Sequence, residues 1–384
     1  MTYIFINQAT RYLFIDIINC FASKGCKVEL YAGEIREGNV RVDDSIKKHL
    51  YTRYDSSTPF KRLVTFILFT LQVFFKLLFR KKRSIRLILV TTPPFLPFIG
   101  IFFNKLFGIP FDLIVYDLYP DVFINFGIFK KDSWPIRYWN RLNISLYHRV
   151  TKVFTLSLAM AEGLIAQGCK PSKIITVSNW VDTSYIKPVE KTQNIFIQEY
   201  HLENKFVVLY SGNMGATHDL ETLIDVAELL KEQEDLLFLI IGEGVKKQKI
   251  EKIIQEKKLK NVLLLPLQPS ALLPYSLTAG DLAYITLDSG AENASVPSKL
   301  FYMLAAGCGI LSVASAHSEL GILTKRFNFG SIFKPGDIKN IGAFILDCKI
   351  NSEKLIGFQE NARKASFHFT PKNAEQFYKE IVDA

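Results

Sequence analysis

Short apolar runs alternate with helix-like patterns along nearly the whole chain. Each run is bounded by polar or glycine-containing segments, and the runs lie at residues 4–6, 28–31, 85–90, 113–116, 153–156, 174–177, 206–210, 236–241, 262–265, 282–286, 310–313 and 330–333. Continuous apolar runs of this length are typical of strands that are buried on both faces of a parallel sheet. Strands that alternate with helices predict an α/β fold with helices on both faces of each sheet.

The chain is long enough for two such sheets. At 384 residues it exceeds what one hydrophobic core usually serves. Polarity rises and periodicity lapses between residues 188 and 204, which predicts a linker there. We therefore expect an N-terminal domain over residues 1–190 and a C-terminal domain over 204–370. Helical spacing predicts a final helix within residues 371–384.

The cysteines and the N-terminus favour an intracellular location. Five cysteines are scattered without a Cys-x-x-Cys pair, so neither a disulfide framework nor a zinc site is indicated. A reducing cytoplasm fits this pattern best. The chain opens with a strand-like Tyr3-Ile-Phe-Ile6 and shows no signal-peptide pattern. The cysteines are Cys20, Cys26, Cys169, Cys308 and Cys348.

The formal net charge of +10 is partly concentrated around one apolar segment. Lys61 and Arg62 precede the apolar run 63–75, and Lys76 and the cations of 80–83 follow it. The run is too short to cross a bilayer core of about 30 Å. It predicts a helix in the interface of an anionic membrane, assisted by a second apolar stretch at 95–107. The alternative is a pair of buried helices with solvated basic ends. A recognisable nucleic-acid-binding motif does not accompany the cations.

Residues 295–307, Ser-Val-Pro-Ser-Lys-Leu-Phe-Tyr-Met-Leu-Ala-Ala-Gly, have the features of a complete short helix. Pro297 suits the first turn, and Gly307 suits the left-handed position just after the end. Ser298 and Lys299 would then lie at the positive end of the helix dipole, which is suited to binding an anion. An ordinary packed helix with an incidental lysine is the alternative.

A second glycine-containing turn has a similar character. The apolar run 206–210 is followed directly by Ser211-Gly-Asn-Met-Gly215 and then by a helix-like pattern over 220–230, with Thr217 or Asp219 available as N-cap. A strand, a glycine turn and a helix in this order bring backbone N–H groups close to a phosphate.

Five motifs follow one another along the chain. They are Val115-Tyr-Asp-Leu-Tyr-Pro-Asp121, Ile175-Thr-Val-Ser-Asn-Trp-Val-Asp182, Tyr210-Ser-Gly-Asn-Met-Gly215, Ile240-Ile-Gly-Glu-Gly244 and the Pro-Ser-Lys segment 295–307. In this order they resemble the glycosyltransferases of family 4, in the subgroup that builds bacterial surface polysaccharides such as O-antigen, capsule and colanic acid. The resemblance covers nearly the whole chain.

The resemblance implies the GT-B fold, in which two doubly wound, Rossmann-like domains face each other across a cleft and the C-terminal helix can cross back to the first domain. It implies retaining transfer of a hexosyl or N-acetylhexosaminyl group from a nucleotide diphosphate, with UDP favoured. The implied acceptor is a polyprenyl-diphosphate-linked saccharide at the inner face of the bacterial plasma membrane. The enzyme would be cytoplasmic, peripheral on that membrane, and would need neither a cofactor nor a metal. This chain also lacks the Asp-x-Asp with which another transferase fold holds a metal.

The same resemblance assigns roles to individual residues. Asp117 would orient the acceptor or act as base, and Lys299 would meet the leaving phosphate. Because the usual sugar-binding glutamate is absent, either Glu292 or Asn293 would contact the donor sugar instead. Asp121 is a second candidate for the role of Asp117 and is equally suited to starting a helix. The residues expected to bind the nucleotide sugar are Gly212, Asn213, Gly215, His218, Gly242, Pro266, Leu267, Gln268, Asn293, Ser295, Ser298 and Tyr302.

The chain departs from the family pattern at several positions. Residues 7–12 lack the glycines often found after the first strand. Asn213 and His218 stand where many members have arginine and lysine, and Ala294 and Tyr302 stand where two glutamates are usual. These substitutions leave open a non-catalytic, membrane-associated scaffold. A nicotinamide-dependent oxidoreductase is a further alternative, but it would want Gly-x-Gly-x-x-Gly after the first strand.

Overall fold

A computed structural model describes residues 1–80, 84–125, 127–215, 218–287 and 297–383. The chain forms two compact units. Unit 1 comprises Met1–Ser178 with Pro371–Ala384, and unit 2 comprises Asn179–Thr370.

Unit 1 contains a parallel sheet with the strand order β3-β2-β1-β4-β5-β6-β7. This order, in which the chain turns back at β1 and β4, is doubly wound, as the sequence predicted. Its elements up to Ser178 are β1 (Thr2–Thr10), α1 (Tyr12–Ser23), β2 (Lys27–Ile35), β3 (Lys47–Leu50), α2 (Pro59–Leu78), β4 (Ile85–Val90), α3 (Pro97–Phe107), β5 (Phe111–Val115), α4 (Asp121–Asn125), α5 (Trp134–Arg149), β6 (Val153–Thr155), α6 (Leu158–Ala166) and β7 (Ile174–Thr176).

Unit 2 contains a second parallel sheet with the strand order β10-β9-β8-β11-β12-β13. Its elements are α7 (Ile195–Glu199), β8 (Phe206–Ser211), α8 (Glu221–Leu229), β9 (Leu236–Ile241), α9 (Lys247–Lys257), β10 (Val262–Leu265), α10 (Leu273–Leu277), β11 (Leu282–Thr286), α11 (Lys299–Ala306), β12 (Gly309–Val313), α12 (Glu319–Phe327), β13 (Gly330–Phe333), α13 (Ile338–Ile350) and α14 (Ser352–Ser366). The tail then forms α15 (Ala374–Tyr378) and a π-helical turn (Lys379–Asp383), which belong to unit 1.

The division between the units lies between Ser178 and Asn179, which is earlier than the expected domain boundary at 190–204. Polar side chains explain why residues 179–204 belong to unit 2. Lys191 Nζ lies 2.8 Å from a carboxylate oxygen of Asp281, which precedes β11. The side chain of Asn194 donates to the carbonyl of Tyr275 at 2.9 Å. The segment is polar, as a linker would be, but it is packed.

Strand β1 is longer than the first apolar run indicated. Residues 7–10, expected to begin a loop, continue the strand and pair with β2 as far as Thr10 opposite Ile35. The Gln8 side chain donates to the carbonyls of Thr52 and Thr65 and so ties this extension to neighbouring segments. The absence of glycine after the first strand therefore coincides with a longer strand.

The apolar run 63–75 lies within α2, and the stretch 95–107 largely coincides with α3. Among the described residues, no helix combines the length and the apolar character needed to cross a bilayer. Arg80 was expected to be one of the free cations at the basic end of α2, and this expectation was wrong. Its guanidinium pairs with both carboxylate oxygens of the buried Glu29, so Arg80 is a structural residue of unit 1. Residues 81–83 lie outside the described residues.

Candidate functional site

A cavity of about 420 Å³ lies in unit 2 at the carboxyl ends of its strands. This edge is where open α/β sheets usually bind ligands. The volume is within the range of small-molecule sites. The cavity is lined by Ser211, Gly212, Asn213, His218, Leu267, Leu273, Leu277, Leu287, Pro297, Ser298, Lys299, Tyr302 and Met303.

The turn after β8 lies against the loop after β9. Gly212 has a φ of +137°, a conformation that favours glycine. Its N–H donates to the carbonyl of Ile241 at 2.9 Å, and Met214 N–H donates to the carbonyl of Glu243 at 2.7 Å. A β-carbon at Gly242 would lie only 2.0 Å from the Gly212 carbonyl oxygen. Gly242, which we expected to contact the ligand, therefore serves by letting the two backbones approach.

Lys299 begins α11 and is directed toward this turn. Its Nζ donates to the Tyr210 hydroxyl at 2.9 Å and lies 4.0 Å from the centre of the Tyr210 ring. A β-carbon at Gly212 would be 3.5 Å from the same nitrogen, so the amine lies beside the turn backbone. Burial lowers the pKa of Lys299 to about 7. No carboxylate that the structure describes counteracts this lowering.

His218 is a second nitrogen-bearing group at the cavity. Burial, with the nearby charges of Lys299 and Lys246, lowers the pKa of His218 to about 3, so its imidazole is neutral at physiological pH. Within the described part of the chain, its buried Nδ1 has no hydrogen-bond partner. A β-carbon at Gly215 would lie 3.1 Å from this Nδ1, which places the ring against the turn. His218 can therefore offer a neutral polar group to a ligand.

Helix α11 forms where the sequence predicts it and ends at Gly307 in the left-handed conformation with φ +76°. Pro297, expected in the first turn, lies one residue before the N-cap. Ser298 is the N-cap residue, but its side chain makes no capping hydrogen bond and lines the cavity instead. Tyr302, one turn after Ser298, lines the cavity as well. The positive end of the helix dipole and the Lys299 amine thus lie together at the cavity wall.

The rest of the wall is apolar and was only partly expected. Leu267 lines the cavity as expected, whereas the Gln268 side chain bonds the carbonyl of Pro266 at 2.9 Å. Sequence reasoning missed Tyr210 and the apolar lining residues Leu273, Leu277, Leu287 and Met303. An aromatic residue at the end of a strand, directly before a glycine turn, could have drawn attention to Tyr210. Glu292, Asn293 and Ser295 lie outside the described residues.

Asp117 belongs to unit 1, after the end of β5. Thr92 Oγ1 donates to its carboxylate at 3.1 Å. Burial raises the pKa of Asp117, and the hydrogen bond from Thr92 and the charge of Arg62 oppose this rise. The raised pKa makes this carboxylate a stronger base than a solvated aspartate, which suits a proton acceptor. Asp121 lies in the first turn of α4 and accepts a hydrogen bond from the Gln167 side chain at 2.9 Å, which fits a structural role.

Potential metal ligands do not cluster in the described ranges. A group of three or more histidine, cysteine, aspartate or glutamate side chains that could hold a metal ion is absent there.

The fold and the cavity define a two-unit α/β protein with a candidate anion-binding cavity in its second unit, and sequence comparison identifies the family. The model of the family described as Glycosyltransferase Family 4 matches residues 12–185, and the model of the family described as Glycosyl transferases group 1 matches residues 191–365. The two matches together cover most of both units. The chain belongs to the GT-B glycosyltransferases, with a family 4 N-terminal part.

Two curated bacterial relatives are named as glycosyltransferases, one of them in colanic acid biosynthesis. The chain is 35% identical over 182 residues to "Putative colanic acid biosynthesis glycosyl transferase WcaI" of Escherichia coli, an alignment that covers 47% of this chain and 44% of that protein. It is 24% identical over 261 residues to "Probable glycosyltransferase WbjE" of Pseudomonas aeruginosa, covering 68% of this chain and 65% of that protein. The chain thus matches less than two thirds of either relative.

Solved structures share the fold at low sequence identity. Anabaena Alr3699/HepE, crystallised in complex with UDP and glucose, is 14% identical, with a TM-score of 0.73 over 100% of this chain and 99% of that chain. WaaG, a glycosyltransferase involved in lipopolysaccharide biosynthesis, is 13% identical, with a TM-score of 0.69 over all of both chains. These likenesses confirm the predicted fold class.

Proposed function

We propose that the protein is a retaining glycosyltransferase that moves a hexosyl or N-acetylhexosaminyl group from a nucleotide diphosphate to a polyprenyl-diphosphate-linked saccharide. The observation that carries this proposal is the Lys299 amine, held beside the Gly212 turn in the cavity of unit 2. A cation beside a glycine turn and a helix start suits a diphosphate. UDP is the favoured nucleotide, supported by the complex of the Anabaena protein with UDP and glucose.

The leaving diphosphate gains negative charge as the bond to the sugar breaks. Lys299 and the N-terminus of α11 would stabilise that charge, and a fixed cation in a buried site is effective because it needs no reorganisation. His218, which is neutral, would add a polar contact. Asp117 would orient the acceptor hydroxyl or take its proton. In this proposal the protein supplies the charge stabilisation, so transfer proceeds without a metal or another cofactor and should persist in excess chelator.

The lipid-linked acceptor is part of the proposal. The name of WcaI, which refers to colanic acid biosynthesis, supports a role in making a bacterial surface polysaccharide. A polyprenyl-linked acceptor lies in the membrane, so the proposed site of action is the inner face of the bacterial plasma membrane, with the enzyme bound there peripherally from the cytoplasm. Retention is tested by the anomeric configuration of the product, read by NMR.

Thermal unfolding with added nucleotides tests the donor site. The purified protein is heated with UDP, GDP, dTDP, CMP or NAD, each in large excess. A ligand at about a hundred times its Kd stabilises the folded state by roughly 2.7 kcal/mol. We expect one nucleoside diphosphate, UDP first, to raise Tm, and Lys299→Ala to lose this rise while keeping the unliganded fold. Lys231→Ala, which removes an exposed lysine of unit 2, is the matched control.

The outcomes separate the alternatives. A rise in Tm with UDP that survives Lys299→Ala would contradict the assigned role of Lys299. A rise with NAD alone would favour an oxidoreductase. The non-catalytic scaffold draws support from Asn213 and His218 at positions where many members have cations. It predicts that Lys299→Ala leaves polysaccharide production in cells unchanged, whereas a transferase predicts its loss.

A further inference from the structure

Helices α2, α3 and α5 form one layer over one face of the unit 1 sheet. The connections β3-α2-β4, β4-α3-β5 and β5-α5-β6 all progress in the same direction along the sheet, and right-handed crossovers then place their helices on the same face. Ring contacts join the layer. The Phe74 ring of α2 lies 4.8 Å from the Phe102 ring of α3, and Phe98 of α3 lies 5.5 Å from Trp139 of α5.

Helix α2 is apolar on two opposite faces. One face packs on unit 1 through Phe66, Phe69, Val73 and Leu77, which are all buried. The other face carries large apolar side chains four residues apart, so they form a continuous stripe along the helix. These exposed residues are Leu63, Ile67, Leu71 and Phe75, with Phe60 before them and Phe79 after them. A stripe of this length on a soluble surface indicates an interaction site.

The charge of the layer has one sign. Helices α2, α3 and α5 contain no aspartate or glutamate. Their cations are Lys61, Arg62, Lys76, Lys105, Arg137, Arg141 and Arg149. Anionic lipid headgroups attract lysine and arginine close to a bilayer surface. A second copy of this chain would present the same cations and be repelled, which makes a symmetric dimer through this face unfavourable.

Helix α5 adds the aromatic residues that are typical of a membrane interface. Trp134 and Tyr138 lie one turn apart and are 73% and 57% exposed. Tryptophan and tyrosine concentrate at the level of the headgroups because one part of each ring system is apolar and another is polar. Arg137 and Arg141 flank them and are exposed. Sequence reasoning did not single out this helix.

The layer begins close to Asp117, the residue of unit 1 that is proposed to orient the acceptor. Arg62, in the first turn of α2, is near enough to Asp117 for its charge to counteract the rise in that carboxylate's pKa. A lipid held by the layer would therefore present its attached saccharide near Asp117. This step rests on the proposed function, because it takes the acceptor to be lipid-linked.

We propose that the outer surface of the α2–α3–α5 layer docks on an anionic lipid bilayer, with the α2 stripe entering the interface and Trp134 at headgroup level. The full chain is floated with vesicles of phosphatidylglycerol and phosphatidylcholine, and with vesicles of phosphatidylcholine alone. We expect flotation with the anionic vesicles, weakened by added salt, and much less with the neutral ones. The emission of Trp134 should shift to shorter wavelength on binding.

Variants of the α2 stripe are compared with control variants at exposed apolar sites outside it. Ile67→Glu with Leu71→Glu should lower the vesicle-bound fraction at least tenfold. Ile350→Glu with Ile356→Glu adds the same charge at exposed apolar sites of unit 2 and should bind like the wild type. Trp134→Phe should still float but lose the emission shift, since Trp180 is buried at 2% exposure and Trp139 is half-buried.

Two flotation results would overturn the docking face: wild-type protein that does not float with the anionic vesicles, or a variant with Ile67→Glu and Leu71→Glu that floats as well as the wild type. Two fluorescence results would do the same: bound wild type without the emission shift, or a shift that persists in Trp134→Phe. A wild-type dimer that this double variant dissociates, without vesicle binding, would instead assign the stripe to self-association. The UDP-dependent rise in Tm is measured in the same samples. Because that readout does not depend on vesicles, failure of docking can be distinguished from failure of the donor site.

Discussion

The Tyr210 hydroxyl joins Lys299 to the turn after β8. It accepts a hydrogen bond from Lys299 Nζ at 2.9 Å and donates its single proton to the carbonyl of Asn213 at 2.6 Å. The second bond directs the hydroxyl proton away from the amine and leaves a lone pair free to accept. One side chain thereby fixes both the position of the cation and the shape of the turn. Tyr210 is a positioning residue for the proposed phosphate site.

Replacing Tyr210 with phenylalanine tests this role. The ring and its packing remain, but Lys299 loses its oxygen partner. We expect UDP affinity to fall by roughly tenfold or more, in line with about 1.5–3 kcal/mol for a hydrogen bond to a charged group. The measurement is titration calorimetry. Tyr284→Phe is the control, because that buried hydroxyl donates to the Asp219 carbonyl at 2.9 Å. Equal losses of affinity in both variants would show that Tyr210 acts only through stability.

Lys299 should make donor binding depend on pH. Its pKa of about 7 in the free protein rises when a diphosphate binds, so binding above pH 7 must take up a proton. Affinity should be level below pH 7 and fall by up to about tenfold per pH unit above it. His218, with a pKa of about 3, stays neutral throughout this range. UDP-glucose is the suitable probe, because its diphosphate is esterified at both ends and does not titrate there.

The control for this pH dependence is Lys299→Gln, which should bind weakly and equally at every pH between 6 and 9. A wild-type affinity that does not change across this range would refute the proton uptake. The same slope in wild type and variant would assign the titration to another group.

At the scale of elements, the close approach of the β8 and β9 loops depends on Gly242. A β-carbon there would meet the Gly212 carbonyl oxygen at 2.0 Å, and a backbone atom cannot move aside as a flexible side chain can. We expect Gly242→Ala to displace the Gly212 turn, lowering Tm and abolishing the UDP-dependent rise. Gly357→Ala in α14 is the control, because its β-carbon meets no described atom within 4 Å. Alanine there should stabilise the helix by about 0.5–1 kcal/mol. Normal UDP binding by Gly242→Ala would show that the loops can separate.

The strands could be predicted where burial made them continuously apolar. All the strands of unit 2 were expected close to their observed bounds, for example β9 at Leu236–Ile241. Strand β3 was missed because it is a charged edge strand, Lys47–Leu50, whose sequence carries no apolar run. Arg80 looked like a solvated cation because its partner Glu29 lies far away along the chain. Local patterns predict elements, and long-range pairing decides what individual side chains do.

The same distinction applies to the cavity. Lys299 and the Gly212 turn could be predicted because a helix start and a glycine turn are local features. The apolar wall could not, since Leu273 and Leu277 come from the short helix α10 and periodicity alone does not reveal which of its residues face a cavity. The expected ligand contact of Gly242 stays a prediction. The structure adds a steric requirement for glycine there, which only the distances between backbones show.

On the scale of the whole molecule, the chain leaves unit 1 after Ser178 and returns to it at Pro371. The returning tail contributes to the core of unit 1. Phe377 is buried and stacks on Phe154 of β6 with ring centres 4.5 Å apart. Arg86 of β4 donates to the carbonyl of Ile381 at 2.7 Å. Unit 1 therefore needs a segment that follows all of unit 2 in sequence, which makes its stability sensitive to the C-terminus.

Phe377→Ala should separate the stabilities of the two units. Removing a buried phenylalanine costs roughly 3–5 kcal/mol, and this loss should fall on unit 1. The lining of the proposed nucleotide site belongs to unit 2, so UDP affinity at low temperature should stay at the wild-type value. Calorimetric unfolding and UDP titration measure the two effects. Phe367→Ala removes a 58% exposed ring from unit 2 and should change neither by much. If Phe377→Ala instead lost UDP binding in parallel with its stability, the two units would unfold as one cooperative body, and the tail would stabilise the nucleotide site as well as the sheet that it covers.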